Sequence, residues 1–193
     1  MFDDLRDKIG IPSKLYNTFS VKNYIKKVNF KDSEYSIKSQ SNAFEKTLKD
    51  PFSDSYVLLL SSESNNITAQ MAAKLLIEQV LKKGGTPFWF NVLNYQKEFV
   101  RLEDFKNNFN GIDYLIIDGL FAKTNINYLD ALRLLLSLYQ DIPICVIISG
   151  TNGIDYFKNQ VFCGFNRFVH FGDDQKVKIE TNIDGLDDLP DLA

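Results

Sequence analysis

The chain has 193 residues, of which 45% are hydrophobic, and this combination is typical of one globular domain with a sizeable core. Its 22 basic and 25 acidic side chains give a net charge of −3, which does not indicate a nucleic-acid-binding protein as a whole. The charge is unevenly distributed. Residues 1–50 carry ten Lys and Arg against seven Asp and Glu, whereas residues 172–193 carry two against seven. The sequence therefore allows a locally basic surface and an acidic tail.

The content of metal-binding and disulfide-forming residues is low. Two cysteines and one histidine exclude a disulfide framework and predict no metal site, and Cys145 stands in an apolar run typical of a buried thiol. The first four residues are acidic rather than basic and apolar, so they do not resemble a signal peptide. No apolar run reaches the ~18 residues that span a bilayer. We expect a soluble, cytoplasmic protein.

The N-terminal 42 residues are predicted to form an extension. Within it, lysines alternate with aromatic residues between positions 21 and 31, and a polar, Ser-rich stretch over 31–42 predicts a linker. Lysines on phosphates, with Tyr24 or Phe30 stacking on bases, would suit single-stranded DNA. The same residues also suit docking to a partner protein, or an amphipathic helix with Tyr24 packed inward and its lysines solvated. The candidate residues are Lys22, Tyr24, Lys26, Lys27 and Lys31.

After residue 55, short apolar runs alternate with helical patterns. Strands are predicted at 56–60, 87–92, 114–117, 142–148, 167–171 and 176–180, with helices over 68–83 and 126–139. The first of these helices has a stripe of core residues at helical spacing, and Gly84-Gly85 predicts its end. Nearly all-apolar strands separated by helices predict an α/β fold with a parallel sheet and helices on both faces.

The connection after the first strand has the frame of a phosphate-binding loop. Residues 61–68 occupy the place of the pattern G-x-x-x-x-G-K-[ST]. Ser61 and Asn66 replace the glycines, Ile67 replaces the lysine, and only Thr68 matches; Asn65 is the remaining candidate in the loop. Without the lysine charge and the conformational freedom of glycine, tight ATP binding is not expected. The alternative is a plain polar connection in which Thr68 caps the helix.

A second segment has the character of a Walker B strand. Apolar residues 114–117 end in Asp118, whose carboxylate would reach Mg²⁺ at the carboxyl edge of the sheet, but the next position is Gly119 instead of an acid. The alternative is that Asp118 caps a turn. A third strand ends in Ser149-Gly150-Thr151-Asn152, where Thr151 or Asn152 would stand at a polar sensor position.

In this order along the chain, the segments resemble the helicase-loader (DnaC/IstB-like) branch of the AAA+ ATPases. Ile11-Pro12 followed by Phe19 is also similar to the segment before the ATPase core of such loaders. The resemblance implies a P-loop NTPase-like (AAA+/RecA-like) core over 43–172, followed by a terminal strand and acidic tail over 173–193 with no C-terminal helical lid. With its key positions lost, the chain is expected to be a pseudo-ATPase without ATP or Mg²⁺. The resemblance then implies a non-catalytic adaptor that binds a helicase or another replication or recombination factor, with DNA as a further candidate.

Three other classes stay open. One is an AAA+ protein that still binds ATP through Thr68 and Asp118. A second is a RecA-like scaffold subunit of a hetero-oligomer. A third is a flavodoxin-like binding domain, whose first and third strands would pair directly, whereas the AAA+ resemblance implies a strand between them. Arg167 is either an arginine finger toward a neighbour or an exposed strand residue or salt-bridge partner. A composition rich in Lys, Asn, Ile, Tyr and Phe would suit a phage or mobile element.

Overall fold

The computed structural model describes residues 9–11, 30, 37–53, 56–62, 67–91, 111–120, 137, 141–149 and 167–172. Within these residues two helices and five strands follow one another in the chain. They are α1 (Ile37–Lys49), β1 (Val57–Ser62), α2 (Ile67–Lys82), β2 (Pro87–Asn91), β3 (Tyr114–Leu120), β4 (Ile144–Ser149) and β5 (Arg167–Phe171). No described helix is long and apolar enough to cross a membrane.

The five strands form one parallel sheet in the order β2-β3-β4-β1-β5. Strand β4 lies between β1 and β3, pairing with both, so the strand expected between the first and third strands is present. This order excludes the flavodoxin-like alternative, in which β1 and β3 would be neighbours. Pro87 begins β2 at the edge of the described sheet, where its missing N–H removes no ladder bond.

Both faces of the sheet are covered, as the apolar strands predicted. Leu60, Ile116 and Ile147 belong to the core that α2 shares, while Leu59 and Val146 project from the opposite face and are equally inaccessible. The predicted stripe on α2 is present, but residues 69–77 are all buried, so this helix is enclosed on every side. It ends as predicted: the Gly85 N–H donates to the Val80 carbonyl at 3.0 Å, and Gly84 has φ = 80°.

Helix α1 occupies part of the predicted linker. Residues 37–42 of the predicted linker form its first turns, and Phe44 packs against Phe171 with ring centroids 6.0 Å apart. Two of its buried positions are polar, Gln40 and Thr47, so a hydrophobicity pattern does not reveal the buried face. The Thr47 hydroxyl donates to the Ala43 carbonyl at 2.8 Å, and Gln40 accepts the backbone N–H of His170 at 2.8 Å. Helix α1 therefore packs against β5, at one edge of the described sheet.

Two points of the N-terminal region pack into the same core. Ile9 is 5% exposed and belongs to the core cluster, and Gly10 lies so close to β2 that a Cβ atom there would collide with the carbonyl oxygen of Trp89. Phe30 forms an antiparallel bridge with Phe171 on β5. Residues near the start of the chain therefore contact both outer strands of the described sheet.

Candidate nucleotide-binding edge

The predicted loop, helix start and Walker B carboxylate lie at the carboxyl ends of the parallel strands. This is the edge at which open α/β sheets bind ligands. Strand β1 runs to Ser62 and α2 begins at Ile67, so four residues join them, not the predicted eight. The two serines extend the strand because they pair with β4 and β5 on either side and are buried. The predicted strand boundary at Leu60 is therefore two residues too early.

Ser61, predicted to stand at the first glycine of the loop, is part of a buried polar pair. Its side chain lies on the face opposite α2, where its hydroxyl is hydrogen-bonded to Nδ1 of His170. Ser61 and His170 are 0% and 1% exposed. Ser61 is thus engaged within the sheet, and its side chain does not point to an open phosphate position.

The remaining loop candidates are only partly described. Asn65 and Asn66 lie outside the described residues. Ile67 is the first residue of α2, and Thr68 follows it in the first turn as a half-buried residue that makes a polar contact. Thr68 therefore stands inside the helix, not at the capping position that the alternative interpretation gave it.

Asp118 has the position of a Walker B carboxylate but is completely buried. Its Oδ2 accepts hydrogen bonds from Gln70 Nε2 at 2.8 Å and from the indole Nε1 of Trp89 at 3.2 Å. Its Oδ1 accepts from the backbone N–H of Gly119 at 2.7 Å. Each oxygen of the Asp118 carboxylate thus accepts at least one hydrogen bond from a neutral group inside the protein. The charge of Asp118 also contributes, after burial itself, to raising the pKa of the Cys145 thiol well above its usual value.

Gly119 stands at a distortion of β3. The register against β4 shifts between Ile117 and Leu120, and Gly119 has φ = 85°, a left-handed conformation that favours glycine. An acid at this position would adopt that backbone only at a cost of about 1–2 kcal/mol. The bulge also directs the Gly119 N–H to the Asp118 carboxylate. The glycine therefore has a backbone role at the position that follows Asp118.

Sequence reasoning missed Gln70 and Trp89. Gln70 is 6% exposed in the first turns of α2, and its Oε1 is buried with no hydrogen-bond partner among the described residues. Trp89 is 1% exposed on β2. A lone tryptophan in an apolar strand signals burial, and its indole N–H needs an acceptor there. This requirement for a hydrogen-bond acceptor was the one signal in the sequence. Only the packing of β2 beside β3 shows that the acceptor is Asp118.

The candidate DNA-binding or docking residues Lys22, Tyr24, Lys26, Lys27 and Lys31 lie outside the described residues, as do Thr151 and Asn152. Phe30, however, is described and contradicts its predicted stacking role. It is 4% exposed and packs on Phe171 with ring centroids 5.4 Å apart. An aromatic ring in the core is not accessible to a nucleic-acid base, so Phe30 serves the fold.

Arg167 lies at the opposite, amino edge of the sheet. Its guanidinium stacks over the Tyr56 ring at 3.9 Å and donates to the hydroxyls of Thr47 and Ser53 at 2.8 and 3.2 Å. The Tyr56 hydroxyl donates to the Pro51 carbonyl and is hydrogen-bonded to Tyr114. Arg167 therefore joins α1 to β1 within the chain, and it is half-buried instead of exposed.

A surface depression of about 490 Å³ also lies at the amino edge. It is away from Asp118 and on the wrong side of a parallel sheet for nucleotide binding. Its lining residues are Phe52, Lys83, Gly84, Gly85, Asp113, Asp141, Ile142 and Pro143. Within the described part of the chain, no three His, Cys, Asp or Glu side chains are grouped to hold a metal ion.

Comparison with solved structures supports the fold. The chain is similar to the replication initiator DnaA bound to AMPPCP and single-stranded DNA, with a TM-score of 0.53 and 12% identity over 79% of this chain and 50% of that one. It is also similar to the Orc1 protein of Aeropyrum pernix in complex with DNA (TM-score 0.48, 13% identity, 84% and 48% coverage). Saccharomyces cerevisiae Rif2 has a TM-score of 0.46 at 13% identity, with 89% and 63% coverage.

The likeness to the DnaA structure, at 12% identity, shows the fold alone: an α/β fold with a five-stranded parallel sheet, similar to that of the AAA+ P-loop NTPases. The chain spans about half the length of the first two structures. No known protein family matches the sequence, and no curated protein sequence matches it. The comparisons therefore show a fold and assign no family.

Proposed function

We propose that the chain is a pseudo-ATPase, a non-catalytic adaptor in DNA replication or recombination that binds a helicase or another replication factor. The AAA+ architecture and its likeness to a replication initiator support the general setting. One observation supports the absence of catalysis: Asp118 accepts hydrogen bonds from Gln70, Trp89 and the Gly119 N–H.

Two features reinforce one another at this edge. A working site needs a lysine for the β- and γ-phosphates and a carboxylate free to serve Mg²⁺. Here isoleucine stands at the lysine position, and releasing Asp118 would leave the buried indole N–H of Trp89 without its acceptor. A buried donor without a partner costs about 1–3 kcal/mol, which opposes release of the carboxylate to a metal. Retaining the sheet while occupying the site internally is consistent with a role in binding partners.

Equilibrium titration with a fluorescent ATP analogue, with and without Mg²⁺, tests the loss of nucleotide binding. We expect no Mg²⁺-dependent binding in the micromolar range for the wild type or for Asp118→Ala, with circular dichroism to verify folding. Thr68→Val is the second variant, because it removes the one matching side chain of the loop while keeping its shape. Micromolar binding that needs Mg²⁺ and is weakened by either substitution would show a residual ATP-binding protein instead.

Capture of partners from native lysate, identified by mass spectrometry, tests the adaptor role. A helicase or another replication or recombination factor is the expected partner. Recovery of related RecA-like chains in a stable hetero-oligomer, with no helicase, would favour the scaffold-subunit alternative. Recovery of neither class of protein would contradict the proposal.

A further inference from the structure

The solvent face of α1 carries a line of basic side chains that the sequence alone does not show as a surface. Lys38, Asn42, Lys46 and Lys49 are all exposed, while Gln40, Phe44, Thr47 and Leu48 are buried on the other side. On a helix, spacings of four, four and three residues put the first set on one face. With a rise of 1.5 Å per residue, Lys38 to Lys49 spans about 16 Å.

The stability of the helix explains the positions of only some of these lysines. Lys46 and Lys49 lie in the last turn, where cations complement the helix dipole. Lys38, however, is the second residue of α1, near the positive end of the dipole, and the first turn contains no acidic residue. A cation at that end slightly destabilises the helix, so its placement points to an interaction with something outside the helix.

The three lysines are also available to a ligand. Within the described residues Lys74 and Lys83 form ion pairs with Glu78 and Asp50, whereas Lys38, Lys46 and Lys49 form none. Two carboxylates lie beside the line: Glu45 is half-buried and accepts a hydrogen bond from the Ser41 hydroxyl at 3.4 Å, and Asp50, just after α1, is paired with Lys83 at 3.0 Å. The face therefore keeps a net positive charge on a protein whose overall charge is −3.

We propose that this face of α1 binds the phosphate backbone of duplex DNA without reading its sequence. A duplex strand carries one phosphate per 3.4 Å of axis, so a span of about 16 Å faces four to five phosphates, enough for three lysines. Single-strand binders add aromatic platforms on which bases stack. The one aromatic residue of α1, Phe44, is fully buried, which favours contact with the backbone of a duplex.

The inference rests on the proposed role in replication or recombination, which supplies DNA as the polyanion. The two can fail separately: partner capture tests the adaptor role, and DNA titration of the purified chain tests this surface. A chain that recruits a replication factor but binds no DNA would reject the surface alone.

The test is fluorescence anisotropy with a short labelled duplex of mixed sequence over about 50–200 mM salt. The variant combines Lys38→Gln, Lys46→Gln and Lys49→Gln, because glutamine has nearly the helix propensity of lysine. Three phosphate contacts contribute about 2.7 to the slope of log K against log salt, equivalent to about a 40-fold loss of affinity across that range. We expect the glutamine variant to lose this part of the slope. The matched control, with Lys38→Arg, Lys46→Arg and Lys49→Arg, should retain it.

Glu45→Gln is a test in the opposite direction, because removing the adjacent negative charge should raise the affinity. A second set, Lys26→Gln, Lys27→Gln and Lys31→Gln, examines the lysines outside the described residues. Absence of duplex binding at low salt would overturn the proposal. Wild-type affinity and salt dependence in the α1 variant would also overturn it. So would tighter binding of the matched single strand that depends on Lys26, Lys27 and Lys31.

Discussion

Replacing Gly10 with alanine tests whether the N-terminal residues are part of the folded core or an extension of it. Gly10 has φ = 78°, and a Cβ atom there would collide with the backbone carbonyl oxygen of Trp89. Gly111 provides the matched control. It has φ = 88°, and a Cβ atom at this position would meet nothing within 4 Å. The two substitutions thus share the cost of the left-handed backbone and differ in the collision.

The expected magnitudes follow from that difference. A left-handed conformation costs an alanine about 1–2 kcal/mol, and the stiffer unfolded chain returns about 0.4–1 kcal/mol. Gly111→Ala should therefore lower the free energy of unfolding by about 0.5–1 kcal/mol. In Gly10→Ala the carbonyl belongs to β2 and cannot yield, so residues 9–11 must move away. Exposing Ile9, now 5% exposed, adds about 1.5–3 kcal/mol.

Urea denaturation monitored by far-UV circular dichroism measures both variants. The fluorescence of Trp89, the one tryptophan of the chain, reports on the same contact. We expect Gly10→Ala to be about 2 kcal/mol less stable than Gly111→Ala, with a changed tryptophan emission in the first variant only. Ile9→Ala combined with Gly10→Ala should cost less than the sum of the two, because the first displacement already removes the packing.

Equal stability of the two glycine variants, within about 0.5 kcal/mol, would refute the reasoning, since independent surface effects are of that size. Additive costs in the double variant would refute it as well. Either result would mean that Ile9 does not depend on the close approach of Gly10 to β2, and that the N-terminal residues behave as an extension.

Two further predictions concern the amino edge of the sheet. Arg167→Lys keeps the charge but loses the planar contact with Tyr56 and the forked donation to Thr47 and Ser53. We expect the free energy of unfolding in urea to fall by about 1–2 kcal/mol, and unchanged stability would show that only the charge matters. Burial raises the pKa of Cys145, Tyr56 and Tyr114 above their ordinary values of 9.0 and 10.0. The fold favours the neutral forms of these groups, so their contribution to stability is fully present below about pH 9–10 and is lost at higher pH. Tm should therefore fall as pH rises from about 9 through 10 and beyond. Tyr114→Phe should weaken the decline above pH 10; a flat profile would contradict the burial of these groups.

The strands and their parallel pairing could be predicted from the sequence because buried strands are nearly continuous apolar runs. Residues 114–117 and 144–148 are such runs, and the helix after β1 shows its core stripe and its glycine stop. Helix α1 was missed since two of its buried residues, Gln40 and Thr47, are polar and are stabilised by partners distant in the chain or by its own backbone. The end of β1 was misplaced for a similar reason, because Ser61 and Ser62 have the composition of a loop.

The sequence by itself determined the α/β architecture and predicted the positions at which a phosphate-binding loop and a Walker B strand would stand. Those are local properties of residue type and spacing. Only the tertiary structure decided what Asp118 does. Its donors come from α2 and β2, and no local pattern predicts that Gln70 and Trp89 converge on one carboxylate. The same holds for Gly10, whose need for glycine arises from a strand that lies almost eighty positions further along the chain.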